Sequence, residues 1–335
     1  MKKIKICFNG NSSTTFVKRD LEILKKEFNV DFIEKPKIKS GLLVWLKYSI
    51  DVLKKVKNCQ VTYSWFAGGD SAVIVFFSKL FRKKSIVVAG GYDAAYIPDL
   101  NYGAFTNLKE KLPAIYIYKK ADKILVVDSS LKDDIIKYAK VTGKNIDYLP
   151  TGYDANFWKV KGKKENIVLT VAMASDMKRV KLKGLDVFIK SAKYVKEAKF
   201  IIIGVKDQAK KQLEMISPSN VELIEFLPED KLLKYYQIAK VYCQLSLREG
   251  LPNTLCEAML CECIPVGTKC YGIKTAIGDT GSYVEYGNEK TTADTIKKAL
   301  KNSDQINKKA RKRIKELFSL DRRRKGLVQL INKLT

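Results

Sequence analysis

Apolar and polar positions in the first 150 residues fall into short strand-like runs separated by stretches of helical spacing. "KIKICFNG" alternates and stops at an Asn-Gly turn, and "SSTTFVKRDLEILKKEF" then sets Phe16, Leu21, Leu24 and Phe28 on one helical face behind Ser or Thr caps. "NVDFIE" completes a strand-helix-strand unit, the start of a parallel sheet. The alternation continues through the strand "CQVTYSWF", the helix "DSAVIVFFSKLF", the strand "KSIVVAGG", the helix "NLKEKLPAIYIYKKA", the strand "KILVVDSS" and the helical "LKDDIIKYAK". Such a pattern predicts a doubly wound α/β domain with its ligand at the carboxyl ends of the strands.

"PTGYDANFWKVKGKKEN" breaks the rhythm with Pro, two Gly and a lysine run, the composition of a linker. A second series follows. Its strands are "NIVLTVAMA", "AKFIIIG", "VELIEFL", "KVYCQLS" and "CIPVGT"; between them lie helices that include "LKGLDVFIKSAKYV", "EDKLLKYYQIA" and "NTLCEAMLC". The expected organisation is therefore two Rossmann-like domains, 1–155 and 156–317, facing across a cleft. A C-terminal helix, 318–335, returns to the first. No sequence repeat links the halves, so a ligand shared by both is expected between them. A length of 335 residues agrees with two cores rather than one.

Charge narrows the ligands. Lys plus Arg number 63 against 36 Asp plus Glu, a formal surplus of 27, which favours phosphate-bearing molecules, anionic headgroups or nucleic acid. The basic C-terminal stretch, with Arg322, Arg323, Arg324 and Lys325 beside an apolar face of Leu327, Leu330 and Ile331, suggests attraction to an anionic membrane surface. No RNA-binding module or base-stacking pattern accompanies the charge, so nucleic acid is not an expected partner. The chain has no histidine, which removes Ser-His, Cys-His and His-metal chemistry. Its seven cysteines are odd in number and sit mostly in apolar runs, as reduced core thiols do. "MKKIKICFNG" lacks the continuous apolar stretch of a signal peptide, and no segment offers a membrane span, so the expectation is a cytoplasmic protein, at most peripheral at a membrane.

Chemistry concentrates in "SLREGLPNTLCEAML", residues 246–260. A strand ends near Ser246, the chain turns through Glu249 and Gly250, and a helix starts near Pro252. Backbone N–H groups of Gly250, Leu251, Asn253 and Thr254 would form a phosphate cradle at the positive end of that helix. Glu257, in the second turn, can accept hydrogen bonds from vicinal hydroxyls, and Glu249 would reach another part of the same ligand. Both glutamates can instead simply complement the helix N-terminus, each for ~0.3–1 kcal/mol. "MKRVKLKGLD" lies at another strand-carboxyl end, where Arg179 and Lys183 would neutralise a leaving diphosphate. Phe226 and Leu227 of "EFLPED" are placed to pack against a base. No Asp-x-Asp turn is present, so no metal is expected.

"SLREGLPNTLCEAMLCECIPVGT" resembles the Glu-x7-Glu signature of retaining family 4 glycosyltransferases of the GT-B fold. The likeness extends to "RVKLKGLDVFIKSAKYV", "LPTGYDANFW" and "ADKILVVDSS". It implies that Glu257 holds ribose hydroxyls, that Glu249 contacts the donor sugar, and that Arg179 with Lys183 stabilises the diphosphate. Three departures fall elsewhere. "NGNSSTT" offers only Gly10, followed by Asn11, where the family often has a Gly-Gly turn. "VAGGYDAAY" supplies Gly90, Gly91, Tyr92 and Asp93 where a histidine commonly lines the acceptor side. Thr275 stands where a further glutamate is usual.

The resemblance thus implies a metal-independent, retaining hexosyltransferase that uses a nucleotide diphosphate sugar, no separate cofactor, and a glycan or lipid-linked acceptor. The rival readings are a catalytically silent nucleotide-sugar or glycan-binding protein and a sugar-nucleotide epimerase of the same shape.

Overall fold

A computed structural model describes residues 3–37, 41–302 and 305–335; Met1 and Lys2 of the opening charged stretch lie outside them. The chain divides into two compact units, one of 1–152 with 321–335 and one of 153–320.

In the first unit β1 (Lys5–Gly10), β2 (Asn29–Glu34), β3 (Val61–Trp65), β4 (Lys84–Ala89), β5 (Lys123–Val126) and β6 (Ile146–Tyr148) form one sheet in the order β2-β1-β3-β4-β5-β6. All of its pairings are parallel. Covered on both faces, β3 and β4 are buried along nearly their whole length, and the buried Thr62 hydroxyl of β3 meets Ser78 Oγ at 2.9 Å. The helix Leu42–Lys57, between β2 and β3, was not apparent from the pattern. Its apolar residues run round much of its circumference: Tyr48, Val52 and Val56 face the core, while Leu42, Leu43 and Leu46 are exposed. That spread blurs the period that marks an amphipathic helix.

The second unit repeats the architecture with β7 (Glu165–Ala174), β8 (Lys199–Val205), β9 (Val221–Ile224), β10 (Ala239–Gln244), β11 (Ile264–Thr268) and β12 (Ser282–Val284), ordered β12-β11-β10-β7-β8-β9. Again every pairing is parallel. After β7 the chain winds outward through β8 and β9, then returns to lay β10 on the other flank of β7. The order therefore reverses between β7 and β10, and loops leaving their carboxyl ends diverge to open a crevice.

The helix Leu320–Leu334 belongs to the first unit from Asp321 onward, and its apolar face is used inside the protein: Leu327 and Ile331 are fully buried. Arg323 is buried too, at 1% side-chain exposure, and forks onto Asp20 through Nε–Oδ1 at 3.0 Å and Nη2–Oδ2 at 2.7 Å. Its Nη1 donates to the Leu149 carbonyl at 2.6 Å, and Asp20 also accepts from Tyr63 Oη and Trp65 Nε1. Arg324 pairs with Glu27 and Asp321, and Lys325 with Asp321. The residues expected to meet a membrane through this tail are thus largely engaged within the unit. Among the described residues no helix is long and apolar enough to cross a membrane.

Candidate functional site

The segment after β7, placed from the sequence only at a strand-carboxyl end, is helical, Met177–Lys183. Asp176 caps it by accepting the Arg179 N–H at 2.9 Å, and Gly184 ends it in the left-handed conformation at φ 64°. A second helix, Leu185–Ala192, starts immediately, so the single helix read from "LKGLDVFIKSAKYV" is split at Gly184. The glycine is required twice over, because a Cβ there would also overlap the Leu245 carbonyl at the end of β10. That close approach is stitched by the Leu247 N–H, which donates to the Leu182 carbonyl at 2.8 Å. Two loops about 65 residues apart are thereby fixed side by side at the switch point.

The result is a contact between two predicted residues. Lys183 Nζ donates to Glu249 Oε1 at 2.6 Å, with side-chain exposures of 18% and 15%. Ser246 Oγ donates to the same oxygen at 2.7 Å and Gln244 Nε2 at 3.1 Å. Gln244 Nε2 also donates to Ser246 Oγ, and Thr268 Oγ1 donates to the Ser246 carbonyl at 2.6 Å. Neither Gln244 nor Ser246 was singled out from the sequence. The available signal was two polar residues at alternate positions of an otherwise apolar strand end, which places both on one face. Arg179 precedes Lys183 by four residues, on the same helical face, and is exposed.

Beyond Glu249 the turn is tightly packed. Leu251 and Pro252 are buried, and any side chain at Gly272 would overlap the Gly250 carbonyl. The helix Asn253–Leu260 follows, with Pro252 as its N-cap rather than its first residue. Asn253 Oδ1 accepts from Tyr153 Oη at 2.9 Å, and Thr254 Oγ1 donates weakly to the Val171 carbonyl at 3.4 Å. The side chains of the turn therefore brace it. Glu257 sits in the second helical turn at 4% exposure, with Tyr236 and Tyr242 as neighbours; burial pushes both phenols far above their ordinary range, and the Glu257 charge adds to that shift.

Phe226 and Leu227 follow the edge strand β9, Phe226 at 69% exposure. In the first unit Gly10 ends β1 and packs against Val17, which leaves no room for a side chain, and Asn11 accepts from the Ser13 N–H and hydroxyl. Gly91 adopts φ 131° beyond β4. Asp93 is 2% exposed and accepts backbone N–H groups from Ala67, Gly90 and Gly91 at 2.9–3.1 Å, so it shapes this loop rather than facing outward. Burial holds its carboxyl above the usual range despite those donors. Tyr92 Oη donates to Glu110 at 2.7 Å.

Residues 154–317 match the profile of the family described as Glycosyl transferases group 1. The match covers nearly the whole of the second unit and none of the first. The Lys183–Glu249 contact and the helix bearing Glu257 both fall within the matched segment. No curated protein sequence matches the chain significantly. Among solved structures, Anabaena HepE in complex with UDP and glucose superposes with a TM-score of 0.79 at 14% identity, covering 98% of this chain and 100% of that one. Sucrose-phosphate synthase from Thermosynechococcus elongatus gives 0.80 at 13% identity, with 99% of each chain covered. A variant of S. aureus TarM, in complex with fondaparinux, alpha-GlcNAc-glycerol and UDP, gives 0.67 at 20% identity over 81% of this chain and 55% of that one. At such identities the likeness is one of fold, and the fold, two six-stranded parallel sheets flanked by helices, is that of the GT-B glycosyltransferases.

Proposed function

We propose that the chain transfers a hexose from a nucleotide diphosphate sugar to a glycan or lipid-linked acceptor, retaining the anomeric configuration and using no metal ion. The observation that carries the reading is the Lys183–Glu249 pair, held by Gln244 and Ser246 at the reversal point of the sheet within the matched segment. In this reading Lys183, with Arg179 one turn away, meets the diphosphate, and its charge is worth most as negative charge grows on the leaving oxygen. Glu249 accepts from donor-sugar hydroxyls, Glu257 from the ribose, and backbone N–H groups at Gly250–Thr254 from the phosphates. Phe226 and Leu227 flank the base, and the Gly10–Asn11 and Gly91–Asp93 loops of the first unit serve the acceptor.

Binding would share or open the Lys183–Glu249 pair, so donor entry replaces one charge-assisted contact by two. The structural neighbours solved with UDP or UDP-glucose make the uridine donor the first to try. With no histidine in the chain, the acceptor proton passes to the departing diphosphate oxygen on the face that the leaving group vacates. This route retains configuration. The test is transfer from a panel of nucleotide sugars, read by NMR of the product's anomeric proton. A retained linkage is expected, and an inverted one would demand a positioned base that this reading does not contain.

A further inference from the structure

In the first unit the crossovers from β2 to β3, β3 to β4 and β4 to β5 all advance in one direction across the sheet. Right-handed connections then put the helices Leu42–Lys57, Gly69–Leu80 and Leu108–Lys120 in one layer on one face, each packed on the next. The solvent side of this layer is unusually apolar. Leu43, Leu46, Ile50 and Leu53 recur at intervals of three and four, which aligns them as a stripe, with exposures of 74%, 55%, 47% and 38%. The next helix adds Phe76 and Leu80, four residues apart, and the third adds Leu108 and Leu112 at the same spacing; all four are more than half exposed.

Scattered exposed leucines need no explanation, but a stripe continued across three adjacent helices does. Basic residues rim it. Lys47, Lys54 and Lys57 lie along the flank and end of the first stripe, Arg82 and Lys84 follow the second helix, and Lys119 and Lys120 close the third, all exposed. Residues 42–57, 69–84 and 108–120 carry twelve Lys and Arg against three acidic residues, Asp51, Asp70 and Glu110. Asp51 is paired with Lys55, Asp70 accepts from Asn9, and Glu110 accepts from Tyr92.

From this geometry we infer that the three-helix face docks on the surface of an anionic lipid bilayer, with the leucine and phenylalanine side chains entering the acyl boundary and the lysines meeting headgroup phosphates. Charge decides among the occupants. A second copy of the chain would bring two strongly basic rims together, whereas an anionic bilayer complements the rim and also offers an apolar depth for the stripe. Nucleic acid would satisfy the charge but not the aliphatic side chains. The inference does not depend on the sugar-transfer reading, and its surface contains none of the residues assigned to the donor.

The test is co-sedimentation of the full chain with vesicles of phosphatidylcholine alone or with roughly one-third phosphatidylglycerol. Binding to the anionic vesicles, weakened by salt and by omission of phosphatidylglycerol, is the expected result. Leu46→Glu with Ile50→Glu, and separately Lys47→Glu with Lys54→Glu, should each weaken it by at least about tenfold. Leu46→Ser with Ile50→Ser repeats the apolar test without adding charge, and unchanged circular dichroism and melting show that the variants fold. Wild-type binding by all three variants would overturn the assignment. So would a wild-type dimer in light scattering that the Leu46→Glu/Ile50→Glu variant dissociates, because the face would then be a contact between copies.

Discussion

Replacing Arg323 by alanine removes the cation paired with the buried Asp20 carboxylate, and the structure sets the size of the effect. Arg323 and Asp20 are 1% and 3% exposed, they meet through two parallel contacts of 2.7 and 3.0 Å, and Arg323 also satisfies the Leu149 carbonyl. Breaking a buried pair by deleting one partner costs about 3–5 kcal/mol, since the other charge stays desolvated. Tyr63 and Trp65 still donate to Asp20 after the change, which holds the estimate at the lower end of that range, about 3 kcal/mol. For a unit of this size each kcal/mol moves Tm by roughly 2–4 °C, so Arg323→Ala should melt the first unit about 6–12 °C early. Arg324→Ala is the internal control: it is the next residue along the same helix, but it and its partners Glu27 and Asp321 are open to water, and the transition should stay near its wild-type position. Differential scanning calorimetry reads both. Equal shifts for the two variants, or a shift below about 2 °C for Arg323→Ala, would refute the reasoning.

Lys183→Ala should lower kcat more than it raises KM, because the charge it meets grows as the glycosidic bond breaks; a change confined to KM would make the lysine a ground-state anchor. Gly184→Ala should lower activity while Lys183 and Glu249 are both still present, since the φ of 64° and the Leu245 carbonyl exclude a Cβ and the Lys183 turn must move; activity within twofold or so of wild type would show that the turn's position is unimportant. Burial pushes the Cys59 thiol up to about 11, and Cys7, Cys243 and Cys261 further. Of the seven cysteines only Cys270 is partly exposed, so a thiol reagent at pH 8 should find at most one fast group in the native protein and seven in denaturant, and several fast native thiols would contradict the packing.

What was legible in the sequence follows from what is local. Strand and helix alternation depends on periods of two and 3.6 within a dozen residues, and those runs became the two sheets. The cysteines read correctly as core because apolar neighbours surround them. Glu249 and Glu257 were visible as a pair because one strand-to-helix turn separates them. Their surroundings were not, because Lys183 meets Glu249 only when β7 and β10 become neighbours, and Gly184 reveals a turn but not the Leu245 carbonyl that presses on it. Arg323 was the hardest case. Within "DRRRK" it looks like its solvated neighbours, and only Asp20, some three hundred residues earlier, makes it a core residue. The helix Leu42–Lys57 escaped for the opposite reason: its pattern carries a buried face and an exposed apolar stripe, so only the narrow flank of Lys47, Asp51, Lys54 and Lys55 is left to mark the period.

Whether the second unit's crevice holds a nucleotide diphosphate sugar is measured most directly by isothermal titration of UDP, UDP-glucose and their guanosine and adenosine counterparts into the wild type and Glu257→Ala. One nucleotide series should bind the wild type, and Glu257→Ala should lose ~1.5–3 kcal/mol of that affinity, roughly ten- to a hundredfold in Kd, with its melting temperature kept. Identical affinity in the two proteins, or heat from none of the nucleotides, would contradict the central claim.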